Sequence, residues 1–270
     1  MSELPEKPLL EHVYELLETM RKILIVWVGV IASLLVLPAP HLLPSYTPLA
    51  FYFMNLTKRV MLSHDEHPIT RQLSLTLGLN DSKVILISHG WFDSLMAAVI
   101  MSGLIAVTVS TPITLYYIYR FLEPGLYSHE KKIIKKYLFA VNFLFIMGVA
   151  YGFFIVTPLT FLVALWIAKL GGASPYFAIH DFYQNVFLGS VAIGIFFTFP
   201  LVILALNKVG LVNHETLEKN WRYVILLTLS ILVVITPDPT PTSALAIGLP
   251  FIVLYLLSIR LIKKNSQKLV

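Results

Sequence analysis

Two groups of carboxylates have the type and setting for specific chemistry. Glu11, Glu15 and Glu18 make an acidic stripe along residues 8–22, where Leu9, Val13, Leu16, Leu17 and Met20 recur with helical spacing on another face. Pro8 suits the first turn of such an amphipathic helix. Farther along, Pro124-Gly125 marks a turn, Ser128 is a helix cap, and Glu130 falls in the first turn behind it. Acids near a helix N-terminus are stabilised by the helix dipole, which accounts for either group taken alone. Together on one membrane face, Glu15 and Glu130 could hold two guanidinium groups through paired, charge-assisted hydrogen bonds. An acidic stripe there departs from the basic juxtamembrane helices that anionic lipid favours.

Other chemistry has no visible residues. There is no Cys, so neither a disulfide framework nor a thiolate metal site is possible. His129-Glu130 continues as Lys131-Lys132-Ile133-Ile134, which is not HExxH, and Gly189-Ser190 does not sit in GxSxG. No phosphate-binding glycine pattern appears, and neither a cofactor nor a metal is expected. These absences point away from an enzyme.

The elements that must position the acids are membrane spans. Of 270 residues, 57% are hydrophobic and 13% charged, with a mean hydropathy of +0.78, whereas soluble domains carry about 25% charged residues. Six apolar stretches read as spans, at 23–43, 95–119, 137–170, 182–206, 223–235 and 241–262. The fifth is too short to cross a full-thickness bilayer upright. Pro112, Pro158, Pro200 and Pro250 fall within these stretches and are expected to kink them, although Pro is common in membrane spans generally. No Asp, Glu, Lys or Arg sits mid-span, which weighs against an ion-coupled secondary transporter, as does the lack of a convincing internal repeat.

Sorting the 20 Lys and Arg by loop puts 15 on the side of both termini and five (Lys58, Arg59, Arg71, Lys83 and Lys169) on the other. Under the positive-inside rule both ends are cytoplasmic, and the net charge of +5 is a topological signal with no nucleic-acid partner implied. Residues 44–92 then form an enlarged extracytoplasmic cap. In it, Leu49 to Leu62 has the spacing of a short amphipathic helix. Leu73, Leu75, Leu77 and Leu79 alternate with polar residues, and Val84 to Ile87 follows Asn80-Asp81, a pattern that fits a hairpin. The first residues lack a signal-peptide or transit-peptide pattern, so the first span is expected to direct insertion, in a prokaryotic or organelle-encoded protein.

Along this frame the sequence resembles TatC, the multi-spanning core of the twin-arginine (Sec-independent) protein translocase. The matching segments are His12-Val-Tyr-Glu15-Leu16, Thr111-Pro-Ile-Thr-Leu-Tyr116, Phe121-Leu-Glu-Pro-Gly-Leu-Tyr127 and His129-Glu130. The likeness continues through Gly194 to Pro200, Arg222-Tyr223 and Thr236-Pro237. It implies an all-α membrane protein of six kinked transmembrane helices in a concave bundle, forming a single domain in the cell membrane. It also implies a receptor for folded precursors whose signal peptides carry paired arginines, driven by the proton-motive force.

In that family the acids matching Glu15 and Glu130 engage the arginine pair, and the resemblance makes His12, Phe121 and His129 supporting residues. The implied partners are TatA-type single-span proteins, TatB where present, and further copies of the chain. Thr198 stands where the family often has a glutamate, so a polar contact to a TatA-type helix would rest on a hydroxyl. Leu17, Glu18 and Thr19 follow Glu15 where basic residues are usual, and Asp238 lies one position earlier than in many relatives. These departures leave room for a TatC-like scaffold that no longer reads twin arginines.

Overall fold

Long apolar runs dominate the chain, and nearly all of its described structure is helix, which continues through Pro112 in one span and Pro200 in another. The structure is a computed structural model, and it describes residues 9–39, 46–62, 68–79, 84–208, 214–235, 246, 248–256 and 259–260. In chain order come α1 (Leu9–Val36), α2 (Leu49–Leu62), α3 (Pro68–Thr76), β1 (Ile85–Ile87), α4 (Asp93–Leu122), α5 (Ser128–Tyr151), α6 (Thr157–Leu170), β2 (Tyr176–Ala178), α7 (Ile179–Lys208) and α8 (His214–Ile235). Residues 248–256 are also helical. Among the described residues, four helical stretches (α1, α4, α5 with α6, and α7) are long and apolar enough to cross a membrane. The fifth apolar stretch is the second half of α8, and part of the sixth is the helix 248–256.

The amphipathic segment and the first span form one unbroken helix, α1. It ends at Val36, short of the expected residue 43, because a residue before proline is pushed out of the helical region. Pro38 then makes a bridge to Pro48, and residues 40–45 lie outside the described residues. α2 has the expected bounds and buries Ala50, Met54, Thr57 and Met61, a helical stripe facing α4 and α6.

The expected hairpin at 73–87 does not form. Leu73 and Leu77 satisfy a helical period as well as an alternating one, and here they pack beside Leu79, Leu162 and Leu165 while Leu75 stays exposed. The stretch is therefore α3 and its C-terminal turn. Gly78, at φ 67°, closes the helix, with Leu79 N–H donating to Ser74 O at 2.9 Å and Gly78 N–H to Leu75 O at 3.2 Å. β1 instead pairs in parallel with β2, Ile85 opposite Tyr176 and Ile87 opposite Ala178. The two loops at this end of the helices are thus stitched together.

α4, α5 and α7 make the centre, with α2 packed over them. Small residues let α5 and α7 approach closely: a Cβ on Gly148 would lie 2.9 Å from Gly194 Cα, and one on Gly152 would lie 2.9 Å from Ser190 Cα. Ser190 and Gly194 of α7 thus face Gly148 at the end of α5 and Gly152 just past it, a small-xxx-small pair on each side, the device by which spans associate where lipid offers no hydrophobic drive. Between α5 and α6 the helix widens into a π turn at Gly152–Val156, where Thr157 N–H donates to Gly152 O five residues back. Pro158 follows at once, so the lost N–H and the ring fall where the regular ladder is already interrupted.

Candidate functional site

α1 lies along α4, and the two are pinned where Trp27 Nε1 donates to Thr114 Oγ1 at 3.2 Å. Toward the start of α1 its partner becomes the last turns of α4. There the His12 ring meets Phe121 edge-on at 6.4 Å between centroids, and His12 Nδ1 lies 3.5 Å from Glu15 Oε2. Glu15, Glu18, Thr19 and Lys22 of α1, with Tyr117, Arg120, Phe121 and Pro124 of the facing segment, enclose a recess of about 130 Å³.

The Glu15 side chain is 33% exposed, so a ligand from solvent reaches it without opening the fold. Glu18 is held by Lys22 Nζ at 2.7 Å, a hydrogen bond that keeps its carboxyl below the ordinary value. This is an exposed i, i+4 pair of small energetic worth, whereas the carboxylate of Glu15 lies against His12, the residue that meets Phe121.

The segment after Phe121 turns the chain sharply back. Pro124 opens a single 3₁₀ turn at Glu123–Gly125, since its fixed φ suits a first turn and its missing N–H needs no partner there. Glu123 ties the corner together. Its Oε1 accepts from Tyr119 OH at 3.1 Å and lies 3.9 Å from Lys131 Nζ of α5. α5 begins at Ser128, the residue expected to cap it, so His129 and Glu130 occupy its first turn. The side chains of Ser128, His129 and Glu130 lie outside the described residues.

Glu15, His12 and Phe121 are therefore brought together, and the backbone of His129 and Glu130 follows a few residues past the corner that bounds their recess. Thr198 belongs elsewhere. It is half-buried on α7, its Oγ1 donating to Ile195 O at 2.7 Å, and it does not line the recess. Tyr117 and Arg120 do line it and were not singled out from sequence. The available signal was their spacing, because 117, 120, 121 and 124 recur at three and four along the face that carries Phe121. An acid, an imidazole and an aromatic edge can hold a cationic group.

Comparison with known proteins shows the family. The family model for TatC, Sec-independent protein translocase protein, matches residues 11–250. The Sec-independent protein translocase protein TatC of Aquifex aeolicus is 31% identical over 222 residues, covering 82% of this chain and 86% of that protein. Its namesake in Helicobacter pylori strain J99 is 32% identical over 190 residues, covering 68% of this chain and 73% of that protein. A crystal structure of the twin-arginine translocase receptor TatC superposes with a TM-score of 0.65 at 27% identity, covering 93% of this chain and 98% of that one. The chain belongs to the TatC family of Sec-independent protein translocase proteins, non-enzymatic multi-pass membrane components of the Tat pathway.

Proposed function

We propose that the chain is the signal-peptide receptor of a twin-arginine translocase in the cell membrane, and that the recess at Glu15 receives one guanidinium of the arginine pair. The observation that carries this reading is that Glu15 and Phe121, each in contact with His12, line one open recess beside the 123–125 corner. Glu15 accepts a bidentate pair of N–H bonds, and the Phe121 and Tyr117 rings flank the guanidinium plane. Glu130 takes the second guanidinium from the first turn of α5, with His129 beside it. Lys22 and Arg120 also line the recess, so a lone cation gains little there, and selectivity rests on the planar fork that Arg has and Lys lacks.

In this reading six spans place both ends, and hence the recess, in the cytoplasm, as the distribution of Lys and Arg supports. Thr198 offers its hydroxyl as an acceptor to a TatA-type helix, TatB joins where it exists, and several copies act together under the proton-motive force. Binding of a fluorescent signal peptide to the full chain in detergent tests the assignment. An Arg-Arg peptide is expected to bind, and Lys-Lys, Glu15→Ala or Glu130→Ala each to weaken binding by roughly ten- to a hundredfold, the scale of a charge-assisted hydrogen bond of about 1.5–3 kcal/mol. Equal binding in all four arms refutes the receptor assignment and leaves a scaffold that does not read arginines.

A further inference from the structure

On the other flank of the same corner, α4 and α5 diverge around a larger recess of about 610 Å³ that the signal-peptide reading does not use. Its polarity is graded. At the rim stand Arg120, Glu123 and Lys135, with the Lys135 ammonium 5.2 Å from the centroid of the Tyr119 ring. Glu123 is the one carboxylate lining it among the described residues, and that acid is already engaged by Tyr119 OH and by Lys131. The cations therefore outnumber the acid.

Below the rim the lining becomes apolar, with Phe139 76% exposed. Asn142 lies at this depth, seven residues beyond Lys135 and so about 10 Å further along the helix. Its Oδ1 is shielded from solvent and has no hydrogen-bond partner among the described residues, although an amide in an apolar setting demands one.

We infer that this recess is a binding site for an anionic phospholipid, with the headgroup phosphate between Arg120 and Lys135 and the glycerol and ester region at Asn142. The lining follows the order of groups in the molecule. Cations occupy the phosphate level, an unsatisfied amide lies deeper, on the side of the ester groups, and exposed aromatic and aliphatic surface continues along the acyl chains. Turned over about its last torsion, the Asn142 amide donates to an ester carbonyl of the lipid. A free anion would leave the deeper amide and the apolar wall unused. A signal-peptide arginine is repelled by the cations at the rim. The inference does not depend on the receptor reading.

The test is native mass spectrometry of the full chain in neutral detergent with equal amounts of dioleoyl phosphatidylglycerol and dioleoyl phosphatidylcholine. The wild-type chain is expected to retain phosphatidylglycerol preferentially. Lys135→Gln should lower that retention about fivefold, the worth of one basic residue at a membrane surface, and Lys135→Arg should restore it. Asn142→Leu should lower it further for either lipid. The control is Lys136→Gln, which removes an equal charge from an exposed neighbour outside the recess and should change little. Unchanged melting of each variant separates lost binding from lost folding. No preference for phosphatidylglycerol, or equal losses in Lys135→Gln and Lys136→Gln, overturns the proposal. So does displacement of the lipid by millimolar inorganic phosphate, which would make the site one for phosphate alone.

Discussion

Replacing Gly148 by alanine puts a methyl carbon 2.8 Å from Phe197 Cβ and 2.9 Å from the Cα of Gly194. Carbon atoms in comfortable contact sit about 3.5–4.0 Å apart, so the added atom overlaps by roughly 0.6–1.2 Å. A side-chain tip could swing away, but the partner here is backbone, and α5 must move off α7 along the crossing where Gly152 also meets Ser190. Overpacking of this kind costs about 1–3 kcal/mol, and contact with backbone places this case at the upper end. For a chain this long, about 3 kcal/mol corresponds to a fall in melting midpoint of roughly 6–12 °C.

Gly29→Ala is the matched comparison. It makes the same chemical change inside α1, where an added Cβ meets nothing within 4 Å, and the gain in helix propensity should leave the midpoint unchanged or raise it slightly. The assay is thermal unfolding of both variants in one detergent, followed by tryptophan fluorescence or by size-exclusion recovery after heating. If Gly148→Ala melts within about 1 °C of the wild-type chain, or falls no further than Gly29→Ala, the close α5–α7 crossing is not what orders the centre.

Tyr183→Phe removes a buried hydroxyl that donates to Met54 O at 2.8 Å, so α2 should loosen from α7 at a cost of about 1–2 kcal/mol, visible as faster amide exchange confined to α2. Gly78→Ala forces a side chain onto a φ of 67° where α3 ends, and should lower stability by roughly 1–2 kcal/mol, read as a lower midpoint and earlier proteolysis after α3.

What could be read from sequence divides according to the physics of each signal. Spans announce themselves by composition, since lipid demands long apolar helices whatever they later touch, and α4, α7 and the joined α5 and α6 follow the expected stretches closely. α2 was legible to the residue because Ala50, Met54, Thr57 and Met61 repeat with one period only. α3 was not, because leucines two apart are also leucines four apart, and contact with Leu162 and Leu165 of α6 decided between the two. β1 and β2 were beyond reach for a different reason: their partners lie about ninety residues apart, and three residues carry too little pattern to name a distant mate.

The site shows the same division. His12, Glu15 and Phe121 were legible through a family pattern, and the structure puts Glu15 and Phe121 in the wall of one recess with His12 against both; Arg120 reads from sequence as one more cytoplasmic positive charge. Its position gives it more than that role. Arg120 lines both the recess at Glu15 and the basic recess between α4 and α5, and the corner fixed by Glu123, Tyr119 and Lys131 holds the two apart. On the two proposals made above, the acid that receives a guanidinium lies on one flank and the pair that holds a phosphate on the other, and Arg120 faces both. A charge placed in either recess acts on the other through a side chain a few ångströms long, a distance at which Coulomb interactions near a protein surface still amount to about 1 kcal/mol or more. That the most motif-rich stretch of the sequence is this corner then has a physical reason, because a tight turn is what brings groups of opposite sign to neighbouring faces of the same few residues.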